Sequence, residues 1–87
     1  MYNPRNYAID IERILGIPQS STGEIERNPL EFLSSFLDEK YKTNETNAKL
    51  IDSFDEKFSK YKNVHLKDWL EEDAQQLVKD LRQIYSV

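Results

Sequence analysis

LKDWLEEDAQQLVKDLRQIY, residues 66–85, sets the architecture. Leu66, Leu70, Ala74, Leu77, Val78, Leu81, Ile84 and Tyr85 recur at three- and four-residue steps. Only an α-helix gathers such a set onto one face. At about 100° per residue they fall within an arc of roughly 120°, the width of a core-facing stripe. A helix of this length reaches ~30 Å, the span of a small domain. The spacing therefore predicts one continuous helix over 66–85, with the remaining segments covering its stripe. The alternative is a break at Asp73, which could cap a new helix with Gln76 as its box partner.

Upstream, the local signals predict three more helices. Residues 3–15 begin with Asn3 as N-cap and Pro4 at the first helical position. Tyr2 and Tyr7 take the two positions of a hydrophobic staple, and Gly16 is the expected left-handed stop. Residues 29–41 follow Asn28 as cap, with Glu31 three residues on as in a capping box. A third helix starts near Asn44 or Thr46 and runs to about Lys62, where Asn63 can stop it in a left-handed conformation. Residues 17–27 have no sustained apolar period, and read as a loop or as a loop holding a short helical turn pinned by Ile25. The short link at Asn63 makes the last two helices an antiparallel hairpin. That hairpin is longer than the two N-terminal helices, so part of it overhangs. A second copy of this chain could cover the overhang, giving a homodimer through the C-terminal hairpin.

Composition narrows the function classes. The chain has 87 residues, enough for a single helical domain over 1–87. With 38% apolar and 32% charged residues it reads as globular rather than disordered. No apolar run approaches the ~20 residues of a membrane span, and MYNPRN lacks a signal-peptide pattern, so a cytoplasmic location is expected. With no cysteine there is no disulfide, thiolate zinc site or thiol nucleophile. A net charge of −4 does not steer the chain toward phosphate backbones. It suits solubility, or a partner with a basic surface.

Trp69 lies ~60° outside the tight stripe of 66–85, in line with Asp73, Gln76 and Asp80. A Trp rimmed by acids has the character of a partner-binding anchor. The other reading buries it under one of the N-terminal helices. Asp68, Glu71, Glu72 and Asp73 crowd the first turns, as helix-dipole complement or as a patch for a basic partner. Lys40-Tyr41-Lys42 and Lys60-Tyr61-Lys62 each end a helix, where dipole compensation accounts for them better than nucleic-acid contact does. His65 with Asp68 supplies two metal ligands and no third. The one His leaves no acid–base pair or triad, and two glycines leave no phosphate-cradling loop. The sequence reads as not an enzyme, with no cofactor and no metal. Ser35–Lys40 and Ser53–Lys57 look alike, but the match is short and out of register by one residue, so no repeat is assigned.

Two resemblances bear on function. Asp52-Ser53-Phe54 is similar to the Asp-Ser-Leu attachment site of acyl carrier proteins, yet its Ser falls inside a helix and no Gly precedes the Asp. IERILGIPQSSTGEIER, residues 11–27, resembles the helix-turn-helix of phage-repressor-like regulators. Gly16, Ile17, Gln19, Ser20, Ser21, Ile25, Glu26 and Arg27 match that pattern. The resemblance implies that Gln19, Ser20 and Ser21 face bases. Glu12 departs from it where a small buried residue belongs, Thr22 replaces an apolar residue, and Gly23 weakens the recognition helix. The helix that precedes the motif in that family is missing.

The reading is an all-α bundle of about four helices with a long C-terminal helical hairpin. The expected function is a non-enzymatic protein-protein interaction module, an acidic regulator, inhibitor or assembly adaptor. Its partner is another protein, bound through Trp69, Asp68, Glu72, Asp73, Gln76 and Asp80. A small helix-turn-helix DNA-binding regulator is the alternative.

Overall fold

Asn3, Asn28 and Asn44 each start a helix in the computed structural model, which describes residues 2–86. The order is α1 (Pro4–Leu15), α2 (Thr22–Arg27), α3 (Pro29–Tyr41), α4 (Glu45–Phe58) and α5 (Glu71–Tyr85), with 3-10 turns at Gln19–Ser21, Ser59–Tyr61 and Leu66–Asp68. Among the described residues there is no strand. The all-α bundle is therefore as expected, with five α-helices rather than about four, because residues 17–27 fold as a 3-10 turn running into α2.

Side-chain caps start α3 and α4, whereas Asn3 precedes α1 without a side-chain cap bond. The Asn44 side chain accepts from the Asn47 N–H at 2.8 Å, so α4 starts at the earlier of its two expected positions. The Asn28 side chain accepts from the Glu31 N–H at 3.4 Å, and its amide donates back to the Glu31 carboxylate at 2.9 Å. Gly16 and Asn63 both adopt positive φ, +72° and +61°, and end their segments as the sequence predicts. Tyr2 and Tyr7 form the staple, their ring centroids 5.7 Å apart.

The expected continuous helix over 66–85 is not formed. Leu66–Asp68 is a 3-10 turn, Trp69 and Leu70 are extended, and α5 starts at Glu71 with Leu70 as its cap residue. Asp73 is not the cap either; it lies inside α5 and accepts from the Tyr61 hydroxyl. Competition between Trp69 and Leu70 explains the break. In one helix Leu70 would join the stripe and Trp69 would point outward. In the observed backbone Trp69 is 3% exposed and Leu70 is 58% exposed. Burying an indole of ~150–250 Å² is worth about 4–6 kcal/mol at most, more than a leucine returns. The break loses few hydrogen bonds, since the Trp69 N–H reaches Leu66 O and the Leu70 N–H reaches the Tyr61 hydroxyl.

The break also removes the overhang. α5 has 15 residues against 14 in α4, 13 in α3 and 12 in α1. The Cα radius of gyration is 12.1 Å, close to the ~12 Å of a compact chain this long. No rod projects, so the length mismatch that motivated a homodimer through the C-terminal hairpin does not exist. One core joins all five helices: Ile11, Ile25, Leu33, Phe54, Phe58, Leu77 and Leu81 are all nearly or fully buried. α5 packs against α1 and α4, and α3 against α4 and α2. No described helix is long and apolar enough to cross a membrane.

Candidate interaction surface

The acidic residues of α5 are largely engaged within the molecule. Asp80 pairs with Lys57 of α4 at 2.8 Å and accepts from the Gln76 amide at 2.9 Å. Asp73 lies 3.5 Å from the Lys60 ammonium and accepts from the buried Tyr61 hydroxyl. Between these contacts sits Trp69, stacked on Tyr61 at 4.0 Å and on Phe58 at 5.6 Å between ring centroids. Its indole N–H donates to Val64 O at 3.4 Å. Trp69 is thus a core residue stacked on the end of α4, not an exposed anchor. Of the six residues expected to bind a partner, only Asp68 and Glu72 remain fully exposed.

A second set of carboxylates lies on the opposite side of α4. Asp38 and Tyr41 are one turn apart on α3; Asp52 and Asp55 are one turn apart on α4. The Tyr41 hydroxyl donates to Asp52 across the gap at 3.3 Å. All three aspartates are exposed. Among the described residues no Lys, Arg or His nitrogen comes within 4.0 Å of them. Burial, and then the neighbouring Asp52 and Asp38 charges, push the Asp55 carboxyl above the ordinary carboxylate range. The Asp52 charge likewise raises the Tyr41 phenol. Between α3 and α4 run two adjoining hollows of about 250 and 600 Å³, sharing Leu30, Ser34 and Asp55. Leu37, Ile51, Phe54 and Phe58 form the floor of the first. Tyr41, 42% exposed, closes one end; Lys62 and Asn63 mark the other, tied to α3 by the Asn28 amide donating to Asn63 at 3.0 Å.

This groove was missed in the sequence, where a signal did exist. The two look-alike segments, Ser35–Lys40 and Ser53–Lys57, face each other in space and supply Asp38 and Asp55. Their similarity is read as chance when the segments are taken singly, because nothing in either one says that they meet.

The helix-turn-helix residues form a local unit. α1, the left-handed Gly16, Pro18, the 3-10 turn and α2 follow in the order of that motif. Ile11 and Ile25 are fully buried, and Gln19 and Ser20 are exposed. Glu12 and Thr22, two departures from the pattern, are partners: the Thr22 hydroxyl donates to one Glu12 oxygen at 2.5 Å. The Ser21 N–H donates to the other at 3.1 Å. A fully buried carboxylate requires such donors, and here it links α1 to the start of α2. α5 packs on α1. The charge is mixed, because Arg5 is paired with Glu26 at 3.3 Å and Glu24 is exposed.

Ser53 stands inside α4 with no preceding loop, unlike an acyl-carrier attachment serine. His65 is exposed, and among the described residues no three His, Asp or Glu side chains converge as metal ligands. Neither a protein family, nor a curated relative, nor a solved structure matches the chain.

Proposed function

We propose that this chain is a non-enzymatic protein-interaction module that receives its partner on the open face between α3 and α4. One observation carries the reading: Asp38 and Asp55 line the groove, Asp52 stands beside them on the Tyr41 hydroxyl, and none of the three has a cation within reach among the described residues. Glu12, Asp73 and Asp80, by contrast, are satisfied within the fold. Like charges held this close favour a basic surface that arrives from outside. The C-terminal face is a weaker docking surface, because Trp69 is withdrawn and Asp73 and Asp80 are paired. The test is affinity capture with the tagged chain from the cells that make it. A protein retained by the native chain and by Asp68→Asn/Glu72→Gln, but lost with Asp38→Asn/Asp55→Asn, supports the groove. Loss only with Asp68→Asn/Glu72→Gln returns the site to α5 and ends this reading.

A second reading, DNA binding through Gln19, Ser20 and Ser21 in the turn that leads into α2, is favoured by the Glu12–Thr22 bond, which turns two departures from the helix-turn-helix pattern into one matched pair. A regulator of that kind binds duplex DNA with an affinity that falls steeply with salt. Gln19→Ala weakens it at unchanged fold. Titration of random-sequence duplex at low ionic strength with no change in mobility or anisotropy removes this reading.

A further inference from the structure

We infer that a recess beside α2 binds a small phosphate monoester, whose phosphate group lies over Gly23 between Arg27, His65 and Lys67. None of these residues lines the α3–α4 groove. The recess has a volume of about 390 Å³, the size of a small-molecule site. Three segments far apart in the chain wall it: Pro4 at the start of α1, Gly23, Glu26 and Arg27 of α2, and His65 and Lys67 on either side of Leu66. The wall is fixed from behind. Leu66 is fully buried, and its carbonyl accepts from the Tyr2 hydroxyl at 2.5 Å, which holds the exposed His65 and Lys67 in place at the surface. The one carboxylate in the wall, Glu26, is taken by Arg5 at 3.3 Å. Arg27 also borders a separate hollow with Glu24 and Glu31. Even so, among the described residues no carboxylate comes within 4.0 Å of the Arg27 or Lys67 nitrogens. On a chain of net charge −4, cations outnumber carboxylates at this place.

Gly23 points the same way. Glycine in a helix costs stability relative to alanine, and nothing in the fold asks for it here. Its φ is not positive, and a Cβ would meet no atom within 4 Å. The bare α-carbon instead leaves the backbone open to close approach from the recess. Phosphate suits the donors around it. The Arg27 guanidinium fork can take two oxygens, and the Lys67 ammonium and a His65 ring N–H can take others. A dianionic monoester gains more from two cations than a monoanionic diester or a carboxylate does.

The experiment records amide correlation spectra of the isotope-labelled full chain at constant ionic strength, with phenyl phosphate, dimethyl phosphate or benzoate added. Phenyl phosphate is expected to give saturable shifts confined to the neighbourhood of Gly23, Arg27, His65 and Lys67, with a Kd on the order of 1 mM. Dimethyl phosphate and benzoate bind at least roughly fivefold more weakly. Arg27→Ala and Lys67→Ala each weaken phenyl phosphate by a similar factor, whereas Lys49→Ala, exposed on α4 outside the recess, leaves it unchanged. Gly23→Ala separates binding from folding. Its methyl has room, so the melting midpoint is no lower than that of the native chain. The same methyl occupies the place of the ligand, so binding falls roughly tenfold or more. Shifts that never saturate, or that spread over lysines and arginines at large, would overturn the inference, as would undiminished binding by Gly23→Ala. Equal binding of dimethyl phosphate would also overturn it, and would assign the recess to a nucleic-acid backbone instead.

Discussion

The two sides of α4 use the same residue types to opposite ends. On the α5 side, Asp73 and Asp80 meet Lys60 and Lys57, and Tyr61 ties Asp73 to the start of α5. On the α3 side, Asp38, Asp52 and Asp55 meet only one another and a phenol. The first set is paired within the fold, whereas the second has no cation within 4.0 Å among the described residues. Acid count along the chain does not distinguish them, since 68–73 is the denser run. What distinguishes them is whether the neighbouring helix brings a cation to the same place.

The largest blow to the α4–α5 seam is Trp69→Ala, which empties a packed site between Phe58 and Tyr61. It is expected to cost ~3–5 kcal/mol, read as a lower urea midpoint. Native Trp fluorescence is correspondingly blue-shifted. An emission maximum at the position of free indole in water would contradict the burial.

Tyr61→Phe comes next. It keeps the ring on Trp69 but leaves the Leu70 N–H and Asp73 without the hydroxyl. A loss of about 1–2 kcal/mol is expected, with earlier hydrogen exchange in the first turn of α5. If that turn exchanges no faster, the hydroxyl is not what starts the helix.

Lys57→Ala tests the ion pair. Lys57 is half exposed, so solvent screening limits its cost to ~0.5 kcal/mol, and 1 M salt should abolish most of the difference from the native chain. A salt-independent loss would instead assign the effect to packing of the lysine stem.

Asp55→Asn should act in the opposite direction. A carboxyl whose folded-state value is raised binds its proton more tightly in the folded chain than in the unfolded one. Stability therefore falls as pH rises from the unfolded value through the raised one, and the penalty persists at neutral pH. Replacing the carboxylate removes that penalty. After screening at this exposed position, the gain is a few tenths of a kcal/mol, about the size of a surface pair. It should be visible at pH 7 and vanish in acid. Destabilisation at pH 7 would mean that Asp55 has a cation the groove was thought to lack.

Much of the fold was legible residue by residue. Asn28 with Glu31, Asn44 with Asn47, the Tyr2–Tyr7 staple, and the left-handed Gly16 and Asn63 are contacts or conformations within a few residues, and they mark the starts of α3 and α4, the end of α1 and the turn after α4. The candidate site was not legible in this way. Asp38 and Asp55 stand in unremarkable helical sequence, and only the pairing of α3 with α4 brings their charges together. Trp69 misled for a related reason. A helical wheel presumes that the backbone stays helical, and it placed outside the residue with most to gain from burial.

The amino-acid order was sufficient to specify which segments are helical, where most of them begin and end, and which faces are apolar, because these depend on neighbours one to four positions away. The break before Glu71, the exchange of Leu70 for Trp69 in the core, and the division of carboxylates into paired and unpaired sets came from packing. Each is a contest between groups far apart in the chain, and its outcome rests on which rings and cations the folded helices bring within reach.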